Sequence, residues 1–128
     1  MCIRDRLVCY LTKWSNAETL EAGAMNGAIL ENYVVSEIAK TYLNSGKEPF
    51  MYYYRDKDAK EIDIVLEHDG ILNPLEIKKT ANPGSELTKV FSLLDKASTP
   101  RGKGAILCMK PALGAIDKEN YLIPIWMI

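Results

Sequence analysis

The amino-acid sequence predicts an α/β domain, a mixed sheet of about five strands with flanking helices. Three observations carry that expectation. Residues 51–80, MYYYRDKDAKEIDIVLEHDGILNPLEIKKT, alternate apolar and polar side chains on either side of an Asp69-Gly70 pair, the pattern of an antiparallel hairpin. Residues 23–43 repeat apolar positions at spacings of three and four, as a helix does. Ala105–Met109, AILCM, is a short apolar run that follows a second helical segment. It therefore reads as a strand buried on both faces, reached by a crossover and paired in parallel.

A chain of 128 residues, 48% apolar and 26% charged, is sized for one domain with a substantial core. Its formal net charge is −1, so no global basic field draws in nucleic acid, and any such contact must be local. No apolar run is long enough for a membrane span. Cys2, Cys9 and Cys108 are far apart and odd in number. That usage fits a reducing cytoplasm and neither a disulfide framework nor a zinc site. No G-x-x-x-x-G-K-[ST] run occurs, so a P-loop nucleotide site is not expected here.

In chain order, Met1–Arg6 (MCIRDR) is too short and too polar for a signal peptide. It resembles translated sequencing-adapter text and is set apart as a non-native or disordered leader. The domain is then residues 7–128, a fragment of a longer gene product. Leu7–Trp14 reads as a short helix, broken at Ser15-Asn16, with a weaker turn over Ala17–Ala22. The principal helix is Gly23–Leu43, stopped by Asn44-Ser45-Gly46. Leu30, Val34, Ile38 and Thr41 make its core stripe. Beside them run Ala28, Glu31, Val35, Ile38 and Tyr42, which puts Glu31 in an apolar stripe. A carboxylate there is costly unless it reaches the edge, meets a lysine or serves as a ligand.

Phe50, Tyr52 and Tyr54 alternate with Met51 and Tyr53 in the first strand, after a loop from Lys47. The polar turn Arg55–Lys60 is of a kind that is ordinarily solvated, although basic and aromatic groups together can contact a phosphate backbone or an unpaired base. Arg55 stands apart because it ends a strand beside the hairpin. After the hairpin, Ser85 is the expected N-cap of a helix reaching about Ala97, with Leu87, Val90, Phe91 and Leu94 buried against the first helix. Pro111–Asn120 reads as a linker. Tyr121–Ile128 is the last strand, placed at an edge by Pro124. His68 is expected to be exposed at the hairpin tip.

The chemistry concentrates in the hairpin. With Asp69 and Gly70 as the loop, His68 pairs with Ile71, and counting back sets Asp63 opposite Glu76 and Glu61 opposite Lys78 on one face. Ile62, Ile64, Leu75 and Ile77 fall on the other. Directly paired side chains are only ~5 Å apart, so two carboxylates repel unless a cation sits between them. Charges on an outer strand face are ordinarily just solvated. Two acids and a lysine on one face of a central hairpin also suit Mg²⁺, which takes one or two carboxylates and fills its shell with water. Lys78 can orient that water or stabilise charge on a phosphate.

Asp63, twelve intervening residues and then Glu76-Ile77-Lys78 resemble the D…(D/E)-x-K signature of the PD-(D/E)XK nuclease-like superfamily. Three longer runs, GAILENYVVSEIAK, YYYRDKDAKEIDIV and LNPLEIKKT, look like the uncharacterised C-terminal domain of many prokaryotic AAA-type ATPases. Glu61-Ile62-Asp63 stands where the superfamily name has Pro-Asp. The resemblance implies a restriction-endonuclease-like core, an ATPase module ahead of it in the intact protein, and Mg²⁺- or Mn²⁺-dependent phosphodiester hydrolysis of DNA or RNA. It assigns Asp63, Glu76 and Lys78 to catalysis. Glu31, Asp63, Glu76 and the Ile77 carbonyl are assigned to the metal; Arg55, by its place at the strand end, and Lys79 are the candidates for nucleic-acid contact. The alternative is an inactive binding or regulatory module that docks a partner or nucleic acid for the ATPase.

Overall fold

A computed structural model describes Glu18 and residues 26–128. The expectations for Met1–Arg6, Leu7–Trp14, most of Ala17–Ala22, the Gly23 helix start, Cys2 and Cys9 lie outside the described residues. Among the described residues, no helix is long and apolar enough to cross a membrane. Helix α1 (Asn26–Asn44) leads into strands β1 (Met51–Arg55), β2 (Glu61–His68) and β3 (Ile71–Lys78), all joined antiparallel. A 3-10 segment, Ser85–Lys96, crosses over to β4 (Gly104–Cys108), which pairs in parallel with β3. Strands β5 (Gly114–Ala115) and β6 (Asn120–Pro124) complete a six-stranded mixed sheet of order β1-β2-β3-β4-β6-β5.

Helix α1 ends because the chain turns back on its own last carbonyls. The Gly46 N–H donates to Leu43 and the Lys47 N–H to Tyr42, both at 3.0 Å, the paired closure of a Schellman stop. Its expected core stripe holds at Leu30, Val34 and Ile38, but Thr41 is exposed. The neighbouring stripe is not apolar cover, since Ala28, Glu31 and Val35 are exposed. The hairpin closes as counted. Asp69 and Gly70 both have positive φ, 50° and 73°, the two-residue turn whose twist matches the strands, and His68 pairs with Ile71.

Two apolar clusters sit on opposite faces of the sheet. Val34 and Ile38 of α1 pack with Ile64, Leu75, Ile77, Ala105 and Leu107. Phe91 and Leu94 pack with Ile62 and Val65. A Cβ on Gly104 would lie 2.6 Å from the Phe91 ring, so glycine there lets the aromatic seat against the strand. The crossover segment thus covers the face opposite α1, rather than packing on α1 as expected. It also winds more tightly than an α-helix, with Leu87 N–H bonded to Gly84 and Ala97 N–H to Leu94. The Thr88 and Ser92 hydroxyls reinforce this by donating to carbonyls three residues back. Gly84, not Ser85, occupies the cap position, and no side chain caps it.

The faces of β2 depart from simple alternation. Between β1 and β2 the register shifts across Tyr52 and Tyr54, so Asp63 and Ile64 together oppose Tyr53. This bulge reverses the phase, and Ile62 joins Val65 on the Phe91 face instead of joining Ile64. At the far side of the sheet, β5 arises inside the expected linker and pairs with Tyr121 and Leu122. The last strand is therefore outermost only near Pro124, and it gives way to a 3-10 turn at Ile125–Met127 instead of running to Ile128.

In the turn after β1, the Asp56 carboxylate accepts the Asp58 and Lys60 N–H groups, and Ala59 is held at φ 57°. An L side chain in that region costs about 1–2 kcal/mol, and the extra chain entropy of glycine offsets part of this. Ala59→Gly is accordingly expected to stabilise the domain by about 0.5–1 kcal/mol in paired thermal melts. Unchanged or lowered stability would show that the turn relaxes without strain.

Candidate functional site

Strand β3 changes partners along its length. From Ile71 to Leu75 it pairs with β2, and from Leu75 to Lys78 with β4. The β2–β3 ladder ends at Ile64 and Leu75, so Asp63 with Glu76 and Glu61 with Lys78 are not ladder partners, contrary to the count. A fork opens there, and the Asp63 side chain bridges it. Its Oδ2 accepts the Ile77 N–H at 2.7 Å, supplying the acceptor that a backbone carbonyl would have given. The bulge at Asp63 re-aims the side chain for this contact.

Leu75 and Ile77 are buried toward α1, so strand alternation turns Glu76 and Lys78 to the other face. Glu76 is only 7% exposed, beside the fully buried Ile106 of β4. Its Oε1 lies 2.7 Å from the Lys78 ammonium, and its buried Oε2 has no hydrogen-bond partner among the described residues. Burial raises the Glu76 carboxyl. The Lys78 hydrogen bond opposes that rise, the charge of Asp63 adds to it, and the Lys78 charge and the Asp63 amide oppose it again. For Lys78, burial works downward but is outweighed by Glu76, Asp63 and Glu31, so the ammonium is held above the ordinary lysine value.

Glu31 stands on the exposed side of α1, within the field of the fork. Its carboxyl is raised by partial desolvation and then by Asp63, with Lys78 opposing and Glu61 adding. Among the described residues, no three His, Cys, Asp or Glu side chains form a group fit to hold a metal ion. Asp63 and Glu76 are the carboxylates closest to the fork, and Glu31 shares their field. Glu76 Oε2 is an open acceptor of the kind a hard cation or a water would take, and the Ile77 carbonyl belongs to the next residue of the same strand. At the rim, Arg55 forms an ion pair with Glu61 at 3.2 Å, and Tyr53 also meets Glu61. Lys79 is exposed just past β3. His68 is exposed at the hairpin tip beside Asp69, as expected, and takes no part. Sequence reasoning missed Tyr53. The adjacent apolar pair Ile64-Val65 in β2 was the available sign that alternation breaks there.

Folding raises the Glu76 carboxyl, so the folded chain binds that proton more tightly than the unfolded chain does. The resulting instability is complete above the raised value and is relieved as pH falls through it. Glu76→Gln is therefore expected to melt a few degrees above the parent near pH 7.5, with the two converging near pH 4. A variant that melts lower at every pH would contradict this.

The family model described as Domain of unknown function (DUF4143) matches residues 26–128. No curated protein matches the chain, and no solved structure does. The match covers the sheet, both of its faces and every residue of the fork, and the chain belongs to the DUF4143 family of domains of unknown function.

Proposed function

We propose that this domain hydrolyses phosphodiester bonds of nucleic acid with a bound Mg²⁺ or Mn²⁺, on a PD-(D/E)XK-like core. The observation that carries the reading is Glu76, a buried carboxylate with one oxygen on Lys78 and the other without a hydrogen-bond partner among the described residues. Leaving a buried acceptor unpaired costs folding free energy, and such costs are commonly retained where function needs the group. When bound, a divalent cation lowers the pKa of water and offsets charge on a phosphate. Asp63, Glu76 and the Ile77 carbonyl would hold it, and Glu31 adds negative field. Lys78 stays protonated, because its neighbours hold its pKa up. It therefore serves to orient water and stabilise phosphate charge, not as a base near neutral pH. Arg55 and Lys79 are the proposed backbone contacts. A cytoplasmic location and an ATPase module ahead of the domain belong to the same proposal, on the strength of the three resembling runs.

A second reading, a binding or regulatory module for the ATPase, draws support from the exposed Met109, Leu113, Trp126 and Met127 at the β4–β6 end of the sheet. The two separate by assay. Purified protein is expected to nick plasmid DNA or degrade RNA only with Mg²⁺ or Mn²⁺, and Lys78→Ala to lose at least 100-fold in rate. Calorimetry should register the metal in the parent and not in Glu76→Gln. Activity that survives Lys78→Ala would point to a contaminating nuclease, and no activity with no metal binding would favour the second reading.

A further inference from the structure

We propose that the site takes single-stranded nucleic acid, with Tyr53 stacking an unpaired base and Arg55 holding the adjoining phosphate. This rests on the hydrolytic reading of the fork, and it adds the substrate class. Tyr53 is the residue of β1 that directly opposes the Asp63–Ile64 bulge, so its ring stands one strand away from the acid that bridges the fork. The residue is 59% exposed although it lies in a sheet. Arg55 forms an ion pair with Glu61 at 3.2 Å, partial desolvation and then the same carboxylate raise the pKa of the Tyr53 hydroxyl, and strand alternation puts Tyr53 and Arg55 on one face of β1. Glu61 also acts on Glu31 of α1, so this row lies on the α1 side of the fork, next to Asp63.

A net charge of −1 offers little of the broad phosphate neutralisation on which duplex binding depends. Stacking needs no such field, because every base has a π-face. Arg55 already sits on a carboxylate, and a phosphate presents the same paired oxygens to a guanidinium. Tyr52 is about as open, but it pairs with Val65 on the crossover face of the sheet while alternation turns Tyr53 to the α1 face, so it is the opposite-face control.

The test is fluorescence anisotropy of the full chain with labelled 20-mers of dT, of U and of a mixed-sequence duplex, in chelator so that nothing is cut. Either single strand is expected to bind at least tenfold tighter than the duplex, and the pair of single strands tells DNA from RNA. Tyr53→Ala should lose about tenfold on single strands, Tyr53→Phe should stay within about twofold, and Tyr52→Ala should match the parent. Arg55→Ala should weaken binding and flatten its salt dependence. Duplex binding as tight as single-strand binding, or equal losses for Tyr53→Ala and Tyr52→Ala, would overturn the proposal. If this pattern holds while Mg²⁺ and Mn²⁺ elicit no cleavage, the hydrolytic reading fails and the stacking site stands. Cleavage by Tyr53→Ala as fast as by the parent on both strand types would retire the stacking site alone.

Discussion

One hydrogen bond, from the Ile77 amide to the Asp63 carboxylate, fixes where the sheet divides. A β-ladder that loses its partner strand leaves backbone donors to satisfy, and an unpaired buried N–H costs as much as a lost hydrogen bond. Here the ladder between β2 and β3 stops at Leu75, and a side chain meets the next need. The acceptor is a carboxylate oxygen, and amide–carboxylate bonds are of the stronger kind. The bulge opposite Tyr53 supplies the extra residue that lets Asp63 reach it.

Everything in the site follows from that division. Because β3 turns to β4 for its last four residues, Glu76 is carried into the sheet interior beside Ile106 rather than left on an open hairpin. A carboxylate so placed must find a cation, and Lys78, two residues on and on the same face, gives it one. The arrangement leaves one Glu76 oxygen without a hydrogen-bond partner among the described residues. The apolar clusters pack the fork from both faces, α1 against Ile77 and Leu107, and the crossover segment against Ile62.

Much of this was legible in the sequence. The turn at Asp69-Gly70, the helix stop after Asn44 and the buried parallel strand at Ala105 follow from local rules about φ, capping and continuous apolar runs. The bulge did not follow, because period-2 counting assumes one residue for one, and only the Ile64-Val65 pair betrays the slip. The counted faces are therefore wrong for Ile62, although Asp63, Glu76 and Lys78 still come together. Propensity also cannot tell α from 3-10 winding in Ser85–Lys96, where hydroxyls bonded three residues back and a strand pressed against Phe91 decide. The two-residue β5 is too short to carry any pattern of its own.

The Asp63–Ile77 bond is tested most directly by amide hydrogen exchange followed by NMR, residue by residue, in the parent and in Asp63→Ala near neutral pH. The parent should protect the Ile77 N–H as strongly as the ladder amides between Ile64 and His68. In Asp63→Ala that protection should fall by about tenfold or more, the equivalent of one charge-assisted hydrogen bond, while the ladder amides keep theirs. An Ile77 amide that exchanges at the same rate in both proteins would contradict the claim that Asp63 holds the fork.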